Sequence, residues 1–322
     1  MDNISTVTLL FTALNESDRM SRLTIFAFTL TGFLTTVILN FMLILIIVIE
    51  KPLHKPMYIF LCNLCVNGLC GTVAFYPKVL YDLTMQISLV SIQECIVQSY
   101  AIFIYGIGEF TNLSIMSLDR YLAICRPLYY HTVMTHVTVL KLIMFIWMFP
   151  CCTTLVIILM EARNPICGQY VNKLYCGSFH LETLACNAHI SEIIIKWIFF
   201  CLLNILVSFV FLSYAKIIIA CKRSKLKQNK FMSTCVPHLI SFSNFMALSL
   251  LDATHTQFKL DIPQMLQNFN SAVFLIFPPV VNPIIYGIKL SPIRTQIILF
   301  VQRLLFNVTY NSFSFPKQKS LK

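Results

Sequence analysis

Seven apolar runs, each long enough to cross a lipid bilayer, govern what this chain can fold into. They are Ile25–Ile49, Met57–Pro77, Ile96–Leu118, Leu142–Met160, Trp197–Ala215, Phe231–Leu251 and Ile262–Ile288. A spanning helix needs roughly 20 apolar residues, whereas a helix of a soluble domain needs only one apolar stripe. Charged residues make up 11% of the chain, against about 25% in soluble domains. Across all seven runs Glu109 is the one Asp, Glu, Lys or Arg. The sequence therefore predicts an all-α membrane protein, a bundle of seven transmembrane helices over residues 25–288.

The basic residues set the orientation. The alternate connections 50–56, 119–141 and 216–230, with the segment from Lys289, hold 17 of the 24 Lys and Arg residues and two acids, Glu50 and Asp119. The opposite side holds seven basic and ten acidic residues. That imbalance, +15 against −3, predicts an extracellular N-terminal tail (1–24) and a cytoplasmic C-terminal segment (289–322). The net charge of +11 is thus explained by topology and anionic lipid headgroups, and nucleic acid is not implied. The first 20 residues are polar and lack an apolar core before a cleavage site, so the first membrane helix is expected to act as a signal anchor. Asn3-Ile4-Ser5 and Asn15-Glu16-Ser17 make Asn3 and Asn15 glycosylation candidates in the tail. Asn112-Leu113-Ser114 lies inside an apolar run and is excluded.

Of 13 cysteines, Cys95, Cys167, Cys176 and Cys186 fall on the predicted outer side, where disulfides persist. Four cysteines allow three pairings. A bridge from Cys95, at the start of the third helix, into the loop 161–192 would pin that loop across the bundle mouth. A second bridge within the loop would stiffen it. Cys62 and Cys65 have metal-like spacing, but no His joins them in that run, so they are expected to be small buried thiols. No metal site or cofactor is expected elsewhere.

Prolines punctuate the runs. Pro77, Pro278, Pro279 and Pro283 are expected to bend membrane helices, with Asn282 supplying a donor to a carbonyl freed by Pro283. After the last run, Ile293, Ile297, Val301 and Leu304 recur at helical spacing with Arg294 and Arg303 between them. This predicts a short amphipathic helix on the inner leaflet, the eighth of the chain.

The chemistry-bearing motifs sit at the ends of the runs. Asp119-Arg120-Tyr121 closes the third, where a charge pair is costly and points to a switch. Lys55-Pro56-Met57-Tyr58 enters the second, Ser213-Tyr214-Ala215-Lys216-Ile217 ends the fifth, and Lys230–Leu239 begins the sixth. Pro279-Val280-Val281-Asn282-Pro283-Ile284-Ile285-Tyr286 ends the seventh. Together these resemble the rhodopsin-like G-protein-coupled receptors. The Pro56-Met57-Tyr58 entry, Met116–Tyr130, Ser233–Leu239 and the three-cysteine loop resemble odorant receptors more narrowly. Cys65-Val66-Asn67-Gly68 and Phe75-Tyr76-Pro77-Lys78 resemble fish-type members, which implies waterborne ligands.

The resemblance implies a plasma-membrane receptor that binds a small-molecule odorant outside and activates a heterotrimeric G protein, of the stimulatory type that raises cyclic AMP. It implies a switch of Asp119, Arg120, Tyr121, Tyr214, Asn282, Pro283 and Tyr286, and disulfides Cys95–Cys176 and Cys167–Cys186. It places the ligand among Phe103, Gly106, Ile107, Ile198, Leu202, Met246, Ser249, Ala253 and Leu275, an apolar set with one hydroxyl. Two departures matter. Most of the superfamily carries Asp where this chain has Gly68, so a sodium site would rest on Glu109 alone; the alternative is a protonated Glu109. The basic segment 222–230 also has no acid to hold Arg120, which predicts ligand-independent signalling.

Other classes fit less well. No paired carboxylate or nucleophile accompanies His131 and His136, so an enzyme is not expected. A transporter would show inverted repeats and several intramembrane polar groups. Within receptors, the alternative is a non-olfactory rhodopsin-like receptor for another small molecule.

Overall fold

Helix boundaries in the computed structural model follow the apolar runs and overshoot most of them, although α1 stops with its run at Ile49 and α8 begins inside its run at Gln264. It describes residues 8–11, 19–85, 88–165, 167–168, 170–171, 174–177, 185–186, 189–222, 225–257 and 263–313. The helices are α1 (Arg19–Ile49), α2 (Pro56–Thr84), α3 (Ile92–Cys125), α4 (Pro127–Val133), α5 (His136–Glu161), α6 (Ile190–Cys221), α7 (Lys225–Gln257), α8 (Gln264–Lys289) and α9 (Ser291–Phe313). Among the described residues, α1, α2, α3, α5, α6, α7 and α8 each contain a span long and apolar enough to cross a membrane. The overshoot brings Asp82 into the last turn of α2 and Asp252 into α7, so Glu109 is not the only acid on a membrane helix.

Local chemistry sets the ends. Pro56 and Pro127 open α2 and α4 at a position where the missing N–H costs nothing. Ser91 and Glu94 form a capping box on α3: Ser91 Oγ accepts from Glu94 N at 3.2 Å, and Ser91 N donates to Glu94 Oε2 at 3.0 Å. Thr135 caps α5 through the Thr138 N–H at 3.3 Å. The amphipathic segment after the last run is helical as α9, and Arg303 on it reaches Glu50 Oε1 at 3.2 Å.

Proline satisfaction differs from the sequence-based expectation. Pro283 frees the carbonyl of Pro279, four residues earlier. The donor that reaches it is Asn40 of α1, with Nδ2 at 2.7 Å from Pro279 O and 2.8 Å from Thr36 O. Asn282 is turned into the bundle instead.

α3 is the central helix, with 67% of its span buried against 6% for α6. Close approach around it requires glycine. A Cβ on Gly71 of α2 would lie 2.6 Å from the Tyr105 ring, and one on Gly108 of α3 would lie 2.5 Å from Asn67 Oδ1.

At the opposite end from Arg120, three short strands form a sheet in the order β2-β1-β3: β1 (Thr8–Phe11), β2 (Ser88–Ser91) and β3 (Tyr170–Val171). β1 is antiparallel to β2 and parallel to β3. The N-terminal tail is therefore the middle strand of a lid that joins two loops. Leu9 is buried beneath it with Val90, Cys95, Ile158 and Cys176.

Candidate ligand-binding and signalling site

The Arg120 end is built from α3, α4, α6, α7 and α8. Asp119 is fully buried and Arg120 is 7% exposed. Arg120 Nε donates to Asp119 Oδ2 at 2.9 Å, and its Nη2 closes on the same oxygen. The other oxygen, Oδ1, accepts from the Tyr130 hydroxyl of α4 at 2.7 Å. One buried carboxylate thus holds the guanidinium and the helix that follows α3. Tyr121 is half-buried, with Lys216 Nζ of α6 5.8 Å from its ring centroid.

His238 supplies a link that the sequence motifs did not single out. From α7 it places Nε2 2.9 Å from Leu113 O of α3 and Nδ1 against the Tyr214 hydroxyl of α6. A carbonyl only accepts, so Nε2 carries the hydrogen and Nδ1 accepts from Tyr214. The two rings stack at 5.5 Å between centroids. The available signal was a lone histidine in an apolar run, since a buried imidazole needs partners for both nitrogens. Tyr286 of α8 is fully buried and faces Ser241 of α7 without closing a hydrogen bond of ordinary length.

One helical stretch further in, Glu109 joins three helices. Oε1 accepts from Asn282 Nδ2 of α8 at 2.7 Å, and Oε2 accepts from Asn67 Nδ2 of α2 at 2.9 Å. Asn67 Nδ2 also meets Tyr105 O at 3.0 Å. Both carboxylate oxygens thus face amide donors. Among the described residues no group of three or more His, Cys, Asp or Glu side chains gathers there. Coupling between α2, α3 and α8 is carried by these side chains.

Toward the lid, the expected ligand residues separate into two groups. Ile107 and Leu275 are buried, and Phe103, Gly106, Met246 and Ser249 are half-buried on α3, α7 and α8. Ser249 Oγ donates to Met246 O at 3.0 Å. Ile198 and Leu202 are 52% and 38% exposed on α6, and are not gathered with the others. Of Ala253 only the backbone is described, and Asn3 and Asn15 lie outside the described residues.

Beneath this group sits an aromatic floor that the sequence did not announce. Phe245 packs on Phe110 at 4.8 Å and on Phe274 at 5.5 Å, with Tyr105 at 6.3 Å. Above it, loop residue Tyr175 is 4% exposed, edge-on to Phe75 at 6.0 Å, and hydrogen-bonds with Asp252 and Ser271. Ser271 Oγ donates to Asp252 Oδ1 at 2.6 Å. Burial, then the Asp252 carboxylate, push the Tyr175 phenol well above its ordinary value. A separate apolar crevice of about 930 Å³ runs between α2 and α3, lined by Val66, Leu69, Val73, Val97 and Ala101.

The loop above is stapled by two disulfides. Cys95 joins Cys176, with Cα atoms 5.2 Å apart, and Cys167 joins Cys186 at 5.1 Å. Gln98 Oε1 accepts from Cys176 N at 2.9 Å, fixing the loop to α3 beside the bridge.

Seven spans around a central α3, with an amphipathic helix after the last, define a receptor bundle of the rhodopsin type. The fold matches the crystal structure of squid rhodopsin with a TM-score of 0.72 at 16% identity, covering 92% of this chain and 86% of that one. The sequence comparisons then fix the family. The olfactory receptor family model matches residues 28–304. Olfactory receptor 1D2 of Pongo pygmaeus is 31% identical over 286 residues, 87% of this chain and 90% of its own. Olfactory receptor 1496 of Rattus norvegicus is 29% identical over 281 residues, 85% of this chain and 89% of its own. The chain belongs to the olfactory receptor family, and it is a multi-pass membrane receptor, not an enzyme.

Proposed function

We propose that this receptor binds a small, partly apolar odorant from the extracellular side and activates a heterotrimeric G protein of the stimulatory type, raising cyclic AMP. The N-terminus and the stapled lid face outward, and the Arg120 end faces the cytoplasm, as the Lys and Arg distribution supports. The observation that carries the mechanism is the Asp119–Arg120 pair, buried where α3 ends and tied to α4.

In the resting state Arg120 is neutralised by Asp119, and His238 couples α7 to α3 and α6. A ligand that favours an outward position of α7 must separate His238 from Leu113 and Tyr214, because those contacts join the three helices. Arg120, Tyr214 and Tyr286 then rearrange to open a cleft for a G-protein helix. Such a two-state bundle is biased by the ligand's differential affinity for its two states. With no acid in 222–230 to hold Arg120, the His238 contacts that join α7 to α3 and α6 are neutral ones, and basal signalling follows.

The test is a cyclic-AMP reporter in cells with verified surface receptor, screened with small odorants. Arg120→Ala should abolish the response while ligand binding remains. Full signalling from that variant would overturn the switch, and near-zero basal cyclic AMP in the parent would overturn the loosely held resting state.

A further inference from the structure

We propose that Glu192 and Asn164, flanked by Glu161, form a site for a hard divalent cation of the calcium type at the lid end of the bundle. The proposal goes beyond odorant binding and G-protein coupling and stands independently of them.

α5 ends at Glu161, the chain turns through Asn164, and α6 restarts at Ile190. Three polar side chains are buried at this junction: Glu161 at 7%, Asn164 at 7% and Glu192 at 3% exposure. Lys196 Nζ lies 3.0 Å from Glu161 Oε1, and Asn164 Nδ2 donates to Glu192 Oε2 at 2.9 Å. Glu192 and Lys196 are four residues apart on α6, so all four side chains share one locale.

Within it, Glu192 Oε1 and Asn164 Oδ1 are buried without a hydrogen-bond partner. Buried oxygens with no donor are costly, and a buried carboxylate more so. Both atoms are oxygens, one charged and one neutral, which is the ligand type that calcium selects. The turn that presents them is held in place. Cys186 N donates to Pro165 O at 2.9 Å next to Asn164, and Cys186 is bridged to Cys167. A cation seated on Glu192 Oε1 and Asn164 Oδ1 satisfies both oxygens, clamping the start of α6 to the end of α5.

The test uses the full-length receptor in nanodiscs, with thermal unfolding followed as calcium chloride is raised at constant ionic strength. The unfolding midpoint should rise with half-effect at roughly 0.1–1 mM calcium, the range of extracellular sites. Magnesium, which dehydrates reluctantly, should do much less. Glu192→Gln should weaken the half-effect concentration by about tenfold, and Asn164→Asp, which keeps the oxygen and adds charge, should tighten it by about tenfold. Glu50→Gln, at the opposite end, should leave it unchanged. The proposal is overturned if calcium leaves the parent's midpoint unmoved, if sodium or magnesium moves it equally, or if the calcium shift survives intact in Glu192→Gln. Should Glu192→Gln fail to fold, an unchanged affinity in Asn164→Asp overturns it by itself.

Discussion

His238 of α7 and Tyr214 of α6 share a hydrogen bond whose imidazole is anchored on its far side to the Leu113 carbonyl of α3. Three helices thus meet at one ring, one helical stretch inside the Asp119–Arg120 pair. Where an acid ahead of the sixth membrane helix would grip Arg120 through charge, this chain joins the same elements through a neutral, fully buried imidazole.

Replacing His238 by Phe keeps an aromatic ring and removes both bonds. Each is worth about 1 kcal/mol net, and roughly 1.4 kcal/mol is tenfold in an equilibrium. Losing both shifts the resting equilibrium by about thirtyfold, so basal cyclic AMP per surface receptor should rise by up to about that factor. An unchanged basal level at equal surface expression would remove His238 from the resting-state restraint.

Tyr130→Phe deletes the donor to Asp119 Oδ1 while leaving the Arg120 contacts on Oδ2. A hydrogen bond to a charged acceptor is worth about 1.5–3 kcal/mol. The variant should loosen α4 from α3 and raise basal signalling by roughly tenfold or more. The reporter assay that measures His238→Phe decides this as well.

Asn40→Ala orphans the carbonyl that Pro283 leaves without a partner. The cost of a buried unsatisfied acceptor, about 1–3 kcal/mol, should appear as a lower unfolding midpoint in detergent. Asn40→Leu, of similar size, should not rescue, because it has no donor for Pro279 O.

Gly108→Ala places a methyl 2.5 Å from Asn67 Oδ1, which must shift the amide away from Glu109 or push α2 outward. Overpacking of this kind costs about 1–3 kcal/mol. Surface expression should fall in Gly108→Ala, and Gly106→Ala should be tolerated, since its added Cβ meets only Phe274 at 3.8 Å.

Leu9→Asp puts a charge beneath the lid, against Val90 and Ile158. The strand joining the two loops should detach, lowering surface expression more than Leu89→Asp, whose side chain is 54% exposed. Equal expression of the two variants would make the N-terminal strand dispensable.

The seven spans, the amphipathic last helix and the family were all legible in the linear chain, because bilayer thickness dictates length and apolarity one segment at a time. The motifs at the span ends were legible for the same reason: Asp119–Arg120 stands out against an uncharged run. What the sequence could not order was choice among partners. Asn282 and Asn40 are both amides near a proline-bent helix, and only packing shows that Asn40 caps Pro279 while Asn282 turns to Glu109. Ile198 and Leu202 have the apolarity of a ligand wall, but the rotation of α6 leaves them exposed. His238 looked like one polar residue in an apolar run until α3 and α6 supplied its two partners. Segment chemistry is local and survives in the string of residues; hydrogen-bond pairing and helix rotation depend on which neighbour arrives within 3 Å, and that was decided by tertiary structure alone.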